Sequence, residues 1–474
     1  MIYAGNNEDY AYREAEKLEY NPGDPNPTSW LNTDFPARYI YELILPDVMK
    51  ELVPNSYYHF GSPYSGTDST DPHAGDIHQW NVWHGTQERY QDFDKMAGRF
   101  VSEFGMEAFP SIETVESYLP NGRRDIDRYP QSSTVDFHNK AAGQERRLAL
   151  YLAENIPTAM EPFEQYIYCT QLMQAECVSN AYMLWKRQWR GPGREYCAGA
   201  LVWQANDCWP CTSWSIMDYY LRPKLAYYAV KRELMHITIG LNRTVHTFPA
   251  DKYTRAFTNT IHAIQMWACN LSLESREVRV SIKTYNLVTR QQTSWDHLES
   301  KVELLMNRST EIAAFHIPVA GRSADTAMPK EKAATDTSPS LQEQQQQTVV
   351  AAYLHDADGK QIARAVNWPE PLKHVHLPKP KEIELALIRS QIREEEADNE
   401  TRSEPRHDAV TVMVSADVPV KGLVLEVEDP KERDAAVSFE DNGVDLMPGE
   451  SVRIGVKGLK CGDEGRLRVR YLGM

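Results

Sequence analysis

The chain has 474 residues and a mass of 54.3 kDa, enough for about three domains at roughly 150 residues each. Hydrophobic residues make up 42% and charged residues 25%, the balance of globular protein, and no run of 18 apolar residues offers a transmembrane helix. The net charge of −16 gives a surface that repels phosphate backbones, which argues against nucleic acid as a partner. The first 30 residues carry no basic and apolar leader, so no signal peptide is read there. Seven cysteines, an odd number thinly spread, read as reduced thiols.

Residues 1–232 read as an α/β unit in which short apolar runs alternate with helical segments. Strands are expected at 1–4, 55–60, 76–83, 99–104 and 198–204, five in all and too few to close an eight-stranded barrel. A helical pattern runs from Asp9 to Glu19. The clearest helix is expected over 161–190, with Tyr166, Cys169, Leu172, Met173, Cys177, Ala181 and Leu184 near one face. Aromatic residues concentrate here: 21 of 25 tyrosines precede residue 230 and 8 of 11 tryptophans precede residue 215, which suits either large packing units or ligand platforms.

Beyond residue 232 the pattern turns all-β. Strands are expected near 262–269, 276–283, 408–414, 422–428, 451–457 and 466–472, as two β-sandwiches over 233–376 and 377–474. Leu377-Pro378-Lys379-Pro380-Lys381 reads as the linker between them. The stretch 322–348 reads as a disordered insertion, and Glu394 to Pro405 as a solvated loop. Asn242, Asn270, Asn307 and Asn399 open sequences that fit N-glycosylation, a pattern frequent by chance.

The chemistry-bearing residues cluster at the ends of the expected strands. Gly5-Asn6-Asn7-Glu8 follows the first strand, so Glu8 and Asn7 could face a ligand, or all three polar residues could cap the next helix. Glu103 interrupts an apolar run before Gly105, where partial desolvation calls for a raised pKa or a strong partner. Two strand-end glutamates suggest a paired-carboxylate site of the kind glycosidases use. On the segment Gly75 to Gly85, His78, Trp80 and His84 would share one strand face. Trp203 could stack on a sugar ring, and Asn206 and Asp207 could bond hydroxyls. A zinc site from His73, His78 and His84 has weak spacing, and Cys208 and Cys211 read as core.

Four segments in order, Gly-Asn-Asn-Glu (5–8), Gly-Asp-x-His-x-Trp-x-Val-Trp-His-Gly (75–85), Val-Ser-Glu-Phe-Gly-Met (101–106) and Trp-Gln-x-Asn-Asp-x-Trp-Pro (203–210), resemble β-mannosidases of glycoside hydrolase family 2, fungal members in particular. The resemblance implies that 1–232 is the C-terminal part of a (β/α)₈ TIM barrel, strands four to eight, followed by two immunoglobulin-like sandwiches. It implies retaining hydrolysis of terminal β-D-mannose, with Glu8 as acid/base and Glu103 as nucleophile, and a Glu8 pKa raised toward neutrality. Asn7 would bind the sugar 2-hydroxyl and Trp203 would form an aromatic wall. His78, Trp80 and Trp83 would lie near the nucleophile, and no metal or cofactor is required. Expected partners are β-mannoside oligosaccharides or glycoprotein-derived glycans, without membrane association. Family members carry further domains and three barrel strands ahead of the acid/base, so this sequence reads as N-terminally truncated. Its open barrel edges make a homodimer a candidate assembly. The rival readings are another family sugar specificity, β-galactosidase or β-glucuronidase, and an inactive remnant.

Overall fold

Short β-branched and aromatic runs next to glycine and asparagine turns give the first five strands of the computed structural model. These are β1 (Ile2–Ala4), β2 (Tyr57–His59), β3 (Ile77–His78), β4 (Val101–Phe104) and β5 (Ala200–Val202). The structure describes all residues except 67, 122–123, 142, 250–251, 254–257, 297–300, 318–345, 391–408, 429–436 and 460–463. The expected insertion at 322–348 and loop at 394–405 therefore lie almost wholly outside the described residues; Thr348, at the end of the former, opens a strand.

β1 pairs with β2, and β3, β4 and β5 form a second sheet, every pairing being parallel. An isolated parallel bridge between Asn7 and Ser62 continues the first pair past its strand ends. Parallel pairing brings the C-terminal ends of these strands to one side, which sets up the site.

β3 is much shorter than its expected 76–83. The Gln79 side chain accepts the Asn81 N–H at 3.1 Å, and the Glu88 N–H reaches back to the Asn81 carbonyl at 2.7 Å. The chain therefore turns after His78, and His78, Trp80 and His84 do not share a strand face.

The long helix spans Phe163–Lys186 and is buried on nearly all sides rather than along one stripe. It packs against the parallel strands, the helix Leu225–Glu233 and the C-terminal sandwich. Tyr168 donates to the Gly422 carbonyl at 2.9 Å, and Lys421 Nζ lies 2.7 Å from Glu176 and 3.1 Å from Asp445. A helix enclosed by several bodies shows no amphipathic stripe, because every face is an interior face.

The remaining strands are β6 (Ile237–Pro249), β7 (Thr258–Asn270), β8 (Arg276–Asn286), β9 (Gln292–Asp296), β10 (Val302–Leu304), β11 (Arg308–His316), β12 (Thr348–His355) and β13 (Gln361–Asn367), then β14 (Ile383–Ser390), β15 (Ala409–Ala416), β16 (Val420–Val427), β17 (Ser438–Phe439), β18 (Val444–Leu446), β19 (Ser451–Lys457) and β20 (Leu467–Arg470). In the first group, sheet β10-β8-β12-β13, with β9 also on β8, packs on sheet β11-β7-β6 around Ile264, Met266, Ile282 and Leu354. In the second, β14-β15-β19-β17 packs on β18-β16-β20 around Val412, Leu423, Leu446 and Ile454. Alternating inward residues from both sheets make each core, the arrangement of an immunoglobulin-like sandwich.

Asn270 closes β7 from the inside. Its Nδ2 donates to the carbonyls of Glu274 (2.8 Å) and Leu304 (3.0 Å), and its Oδ1 accepts from both the N–H and the hydroxyl of Ser272.

Candidate active site

The end of β1 is shaped by a glycine and an asparagine. A Cβ on Gly5 would come within 2.3 Å of the Tyr58 hydroxyl, so only glycine lets β1 lie this close to β2. Asn6 Oδ1 accepts the Asp9 N–H at 3.1 Å and caps the helix Asp9–Glu16, while its Nδ2 holds the Phe60 carbonyl at 2.9 Å. The capping role thus falls to Asn6. Glu8, at φ 65°, hangs its N–H on the Ser62 carbonyl and turns its carboxylate into the cleft, with Asn7 exposed beside it.

Glu103 comes from β4, between the buried Val101 and Phe104. In the sheet it is the register partner of His78, and its carbonyl accepts the Gln79 N–H at 2.8 Å. Strand pairing therefore puts the imidazole of His78 beside the Glu103 carboxylate. His78 Nδ1 lies 2.8 Å from Glu8 Oε1 and 3.3 Å from Glu103 Oε2. One atom from each of the three side chains falls within 4.8 Å of the others. Among the described residues this is where such groups converge; His73 and His84 take no part, so the zinc alternative is not assembled.

Depth separates the two carboxylates: the Glu8 side chain is 48% exposed, that of Glu103 15% and that of His78 4%. Burial raises the pKa of Glu103, and nearby Glu8 adds to the rise, against the opposing pull of His78 and of a hydrogen bond from Trp80. The hydrogen bond from His78 lowers the pKa of Glu8, outweighing its partial burial. This reverses the expectation that Glu8 holds the raised pKa. The reason is that His78 sits on Glu8 in the resting site.

Beneath His78 lies a polar cluster. Ser62 Oγ is 3.1 Å from His78 Nε2 and donates to Asp76 Oδ2 at 2.7 Å, and Ser102 donates to the same oxygen. Asp76 Oδ1 accepts the Tyr64 N–H at 2.9 Å and faces His59 Nε2 at 2.8 Å. Burial pushes the Asp76 carboxyl up, but these hydrogen bonds outweigh it and hold its pKa at about 2.

An aromatic wall flanks the carboxylates. The Trp80 ring meets His84 at 5.3 Å and Trp214 at 6.2 Å, both edge-on. Trp203, 39% exposed, is fixed by its N–H on the Phe104 carbonyl at 2.7 Å, and its own carbonyl lies where a Cβ on Gly105 would be.

Two further families of fact bear on the chain. Residues 262–374 match the Mannosidase Ig/CBM-like domain, and residues 388–471 match an Ig-fold domain of mannosidases. All of the chain aligns at 52% identity with β-mannosidase B of Thermothelomyces thermophilus, and at 42% with that of Aspergillus terreus, covering half of each. Along its whole length the chain is similar to fungal proteins named β-mannosidase B. It spans about half the length of the curated relatives it matches. Its fold resembles the crystal structure of a β-D-mannosidase from Dictyoglomus thermophilum, with a TM-score of 0.72 at 22% identity over 99% of this chain and 48% of that one.

Not every predicted site residue reaches the cleft. Trp83 does not: it is fully buried, stacks on Tyr151 with centroids 6.0 Å apart, and its N–H donates to the Tyr151 hydroxyl at 2.8 Å. The turn after His78 points it into the core. Asp207 is also buried, each carboxylate oxygen accepting a serine hydroxyl at 2.6 Å, from Ser213 and Ser215, so it braces a loop rather than meeting solvent. Asn206 is exposed. Cys208, expected in the core, is exposed, whereas Cys211 is buried.

Sequence reasoning missed Ser62, Asp76, Ser102, His59 and Trp214. Asp76 stands two residues before His78, but nothing local says that it turns back to collect His59, at the end of β2, and Ser62, just beyond it.

Proposed function

We propose that this chain carries the catalytic pair of a retaining exo-β-mannosidase, and that residues 1–232 are the second half of a (β/α)₈ barrel ending in this site. The convergence of Glu8 and Glu103 within 4.8 Å carries the reading, since retaining glycosidases hold their carboxyl groups roughly 5–5.5 Å apart. Glu103 is the nucleophile. It lies deeper, fixed by Trp80 and by β4, where a carboxylate can meet the anomeric carbon of a sugar seated above it. Glu8 is the acid/base. It lies on the open side, from which the leaving group departs and the hydrolytic water arrives. Asn7 bonds the 2-hydroxyl, and Trp80, Trp203 and Trp214 supply the apolar surface that a sugar ring stacks on. The substrates are β-mannoside oligosaccharides or glycoprotein-derived glycans with a terminal, non-reducing β-D-mannose.

The relatives named β-mannosidase B support mannose over galactose or glucuronic acid. A second reading has one observation behind it. Among the described residues β1 pairs only with β2, and the Glu8 side chain beside it is half exposed. On that reading the chain holds the site but turns over only when another polypeptide, a second copy included, covers this edge.

The test is hydrolysis of a chromogenic β-D-mannoside by the chain, with Glu103→Gln as control and the anomer of the released mannose followed by NMR. Release of β-mannose, lost in the control, is expected. Release of the α-anomer, or full activity in the control, refutes the proposal.

A further inference from the structure

Proton counting around Asp76 bears on the Nε2 side of the histidine between the two glutamates. A hydroxyl has one proton to give. Ser62 Oγ lies 2.7 Å from Asp76 Oδ2 and 3.1 Å from Ser102 Oγ; the carboxylate is the shorter and charged acceptor and takes its proton, and Ser102 donates to the same carboxylate oxygen. Asp76 is a buried carboxylate whose other oxygen is occupied by the Tyr64 N–H and by His59. The Ser62 oxygen is therefore left as an acceptor for His78 Nε2, 3.1 Å away. So Nε2 carries a hydrogen, and Nδ1 is the ring atom free to gain or lose one. Nδ1 is also the atom that faces both glutamates, at 2.8 and 3.3 Å.

We propose that His78 Nδ1 stores the catalytic proton between turnovers, and that Asp76, acting through Ser62, is the positioning residue that keeps it on that side of the ring. This rests on the retaining reading above. In the first step the proton passes from Nδ1 to Glu8 Oε1 and on to the glycosidic oxygen. As that oxygen departs from the anomeric carbon, Glu103 Oε2 bonds to it. In the second step a water oxygen bonds to the anomeric carbon and the Glu103 ester breaks. The water proton goes to Glu8 and back to Nδ1. Imidazolium with two carboxylates, and neutral imidazole with one carboxylate and one ester, carry the same single negative charge, so neither step builds up charge in the pocket. The charged and titratable groups around the ring are Glu8, Glu103 and Asp76, with His59 behind Asp76. His84 and, behind it, Arg147 act from the far wall.

Two variants and two readouts test this. Asp76→Asn turns an amide N–H₂ toward Ser62, so that the Ser62 proton is redirected to His78 Nε2; Ser62→Ala removes the link and serves if the first variant does not fold. Both are expected to lower kcat/KM on mannobiose, whose leaving group needs protonation, by about 10²-fold. Both should leave 2,4-dinitrophenyl β-mannoside, which needs no acid, within a few fold of the parent. An equal loss on both substrates means a merely structural role and overturns the proposal. Imidazole ¹⁵N spectra of the full chain give the second readout. Both ring nitrogens of His78 should be protonated in the resting parent, and Nε2 should lose its proton in Asp76→Asn; a bare Nδ1 or a bare Nε2 in the parent overturns the proposal even if hydrolysis is observed. A parent that hydrolyses no mannoside fails the retaining reading alone, and the spectra still decide where the proton sits.

Discussion

Glu8 and Glu103 are the same residue type in unlike surroundings, and their roles can be told apart chemically. Replacing Glu103 by Ala opens space below the sugar, and azide entering there should give α-mannosyl azide. Replacing Glu8 by Ala leaves the glycosyl-enzyme to form slowly, and azide taking the place of water should give β-mannosyl azide. Each variant should lose about 10²-fold or more of its activity on an unactivated mannoside before rescue, and NMR of the azide product is the check. Swapped products would exchange the two assignments. Both glutamates were legible in the sequence because each follows a short apolar run and adjoins a glycine or asparagine turn. A raised pKa for Glu103 was one of the readings its partial burial allowed, but the lowered pKa of Glu8 was not legible. It depends on His78, which lies 2.8 Å from one and 3.3 Å from the other only because β3 and β4 pair in the observed register.

At the level of elements, the turn after β4 joins Glu103 to the aromatic wall. A Cβ on Gly105 would meet the Trp203 carbonyl at 2.3 Å and the Trp80 ring at 3.4 Å. Gly105→Ala must therefore push Trp203 aside, and misplacement on the scale of 1 Å costs about 10²-fold in rate. We expect kcat/KM on a β-mannoside to fall by about that factor and, because the obstructing atom is backbone, the melting temperature to fall too while the far-UV spectrum stays close to the parent's; unchanged kinetics would mean that the wall is not part of the sugar site. All five short parallel strands were expected near their places, whereas β6, Ile237–Pro249, was not among the expected strands although it is 13 residues long. The helix Phe163–Lys186 was found from its length and composition, but not its all-round burial, since no stripe marks it. β3 was drawn too long, because Trp80 and Val82 look like strand residues until the Gln79 side chain and the Asn81 carbonyl close the turn. Trp83 was placed near the cleft by the family resemblance alone, and the turn carries it into the core.

Across the whole molecule, the sandwiches are tied to the strand–helix body by charges that no local pattern reveals. Lys421 reaches Glu176 across 245 positions of sequence and also holds Asp445, with its own side chain only 6% exposed. Breaking a buried ion cluster from one side strands the remaining charges. Lys421→Met should lower stability by about 3–5 kcal/mol in thermal unfolding, and adding Glu176→Gln should recover part of the loss. Glu370 lies in the same cleft, a cavity of about 720 Å³ where the three bodies meet. Burial, reinforced by Glu176, pushes its pKa from 4.5 up to about 7. A carboxyl with a raised folded-state pKa stabilises the fold below its unfolded value, and that contribution is lost as pH rises through about 7. Glu370→Gln should therefore melt with the parent at about pH 5 but above it at about pH 8, by on the order of 1–3 kcal/mol. Equal melting at both pH values would remove Glu370 from the interface ledger. The sandwich strands themselves were readable, because alternation repeats within each one. Their docking was not, because it is written in single residues far apart in the chain.

The inward turn of Asn270 has a consequence in time rather than in space. Asn270-Leu271-Ser272 is a sequence that glycosyl transfer to asparagine would accept, yet the folded amide is fully engaged with Glu274, Leu304 and Ser272. The same Nδ2 cannot both carry a sugar and close β7. Wherever this polypeptide met such a transferase, modification and maturation of the first sandwich would be a race with one winner. The sandwich is compatible only with the outcome in which folding finishes first.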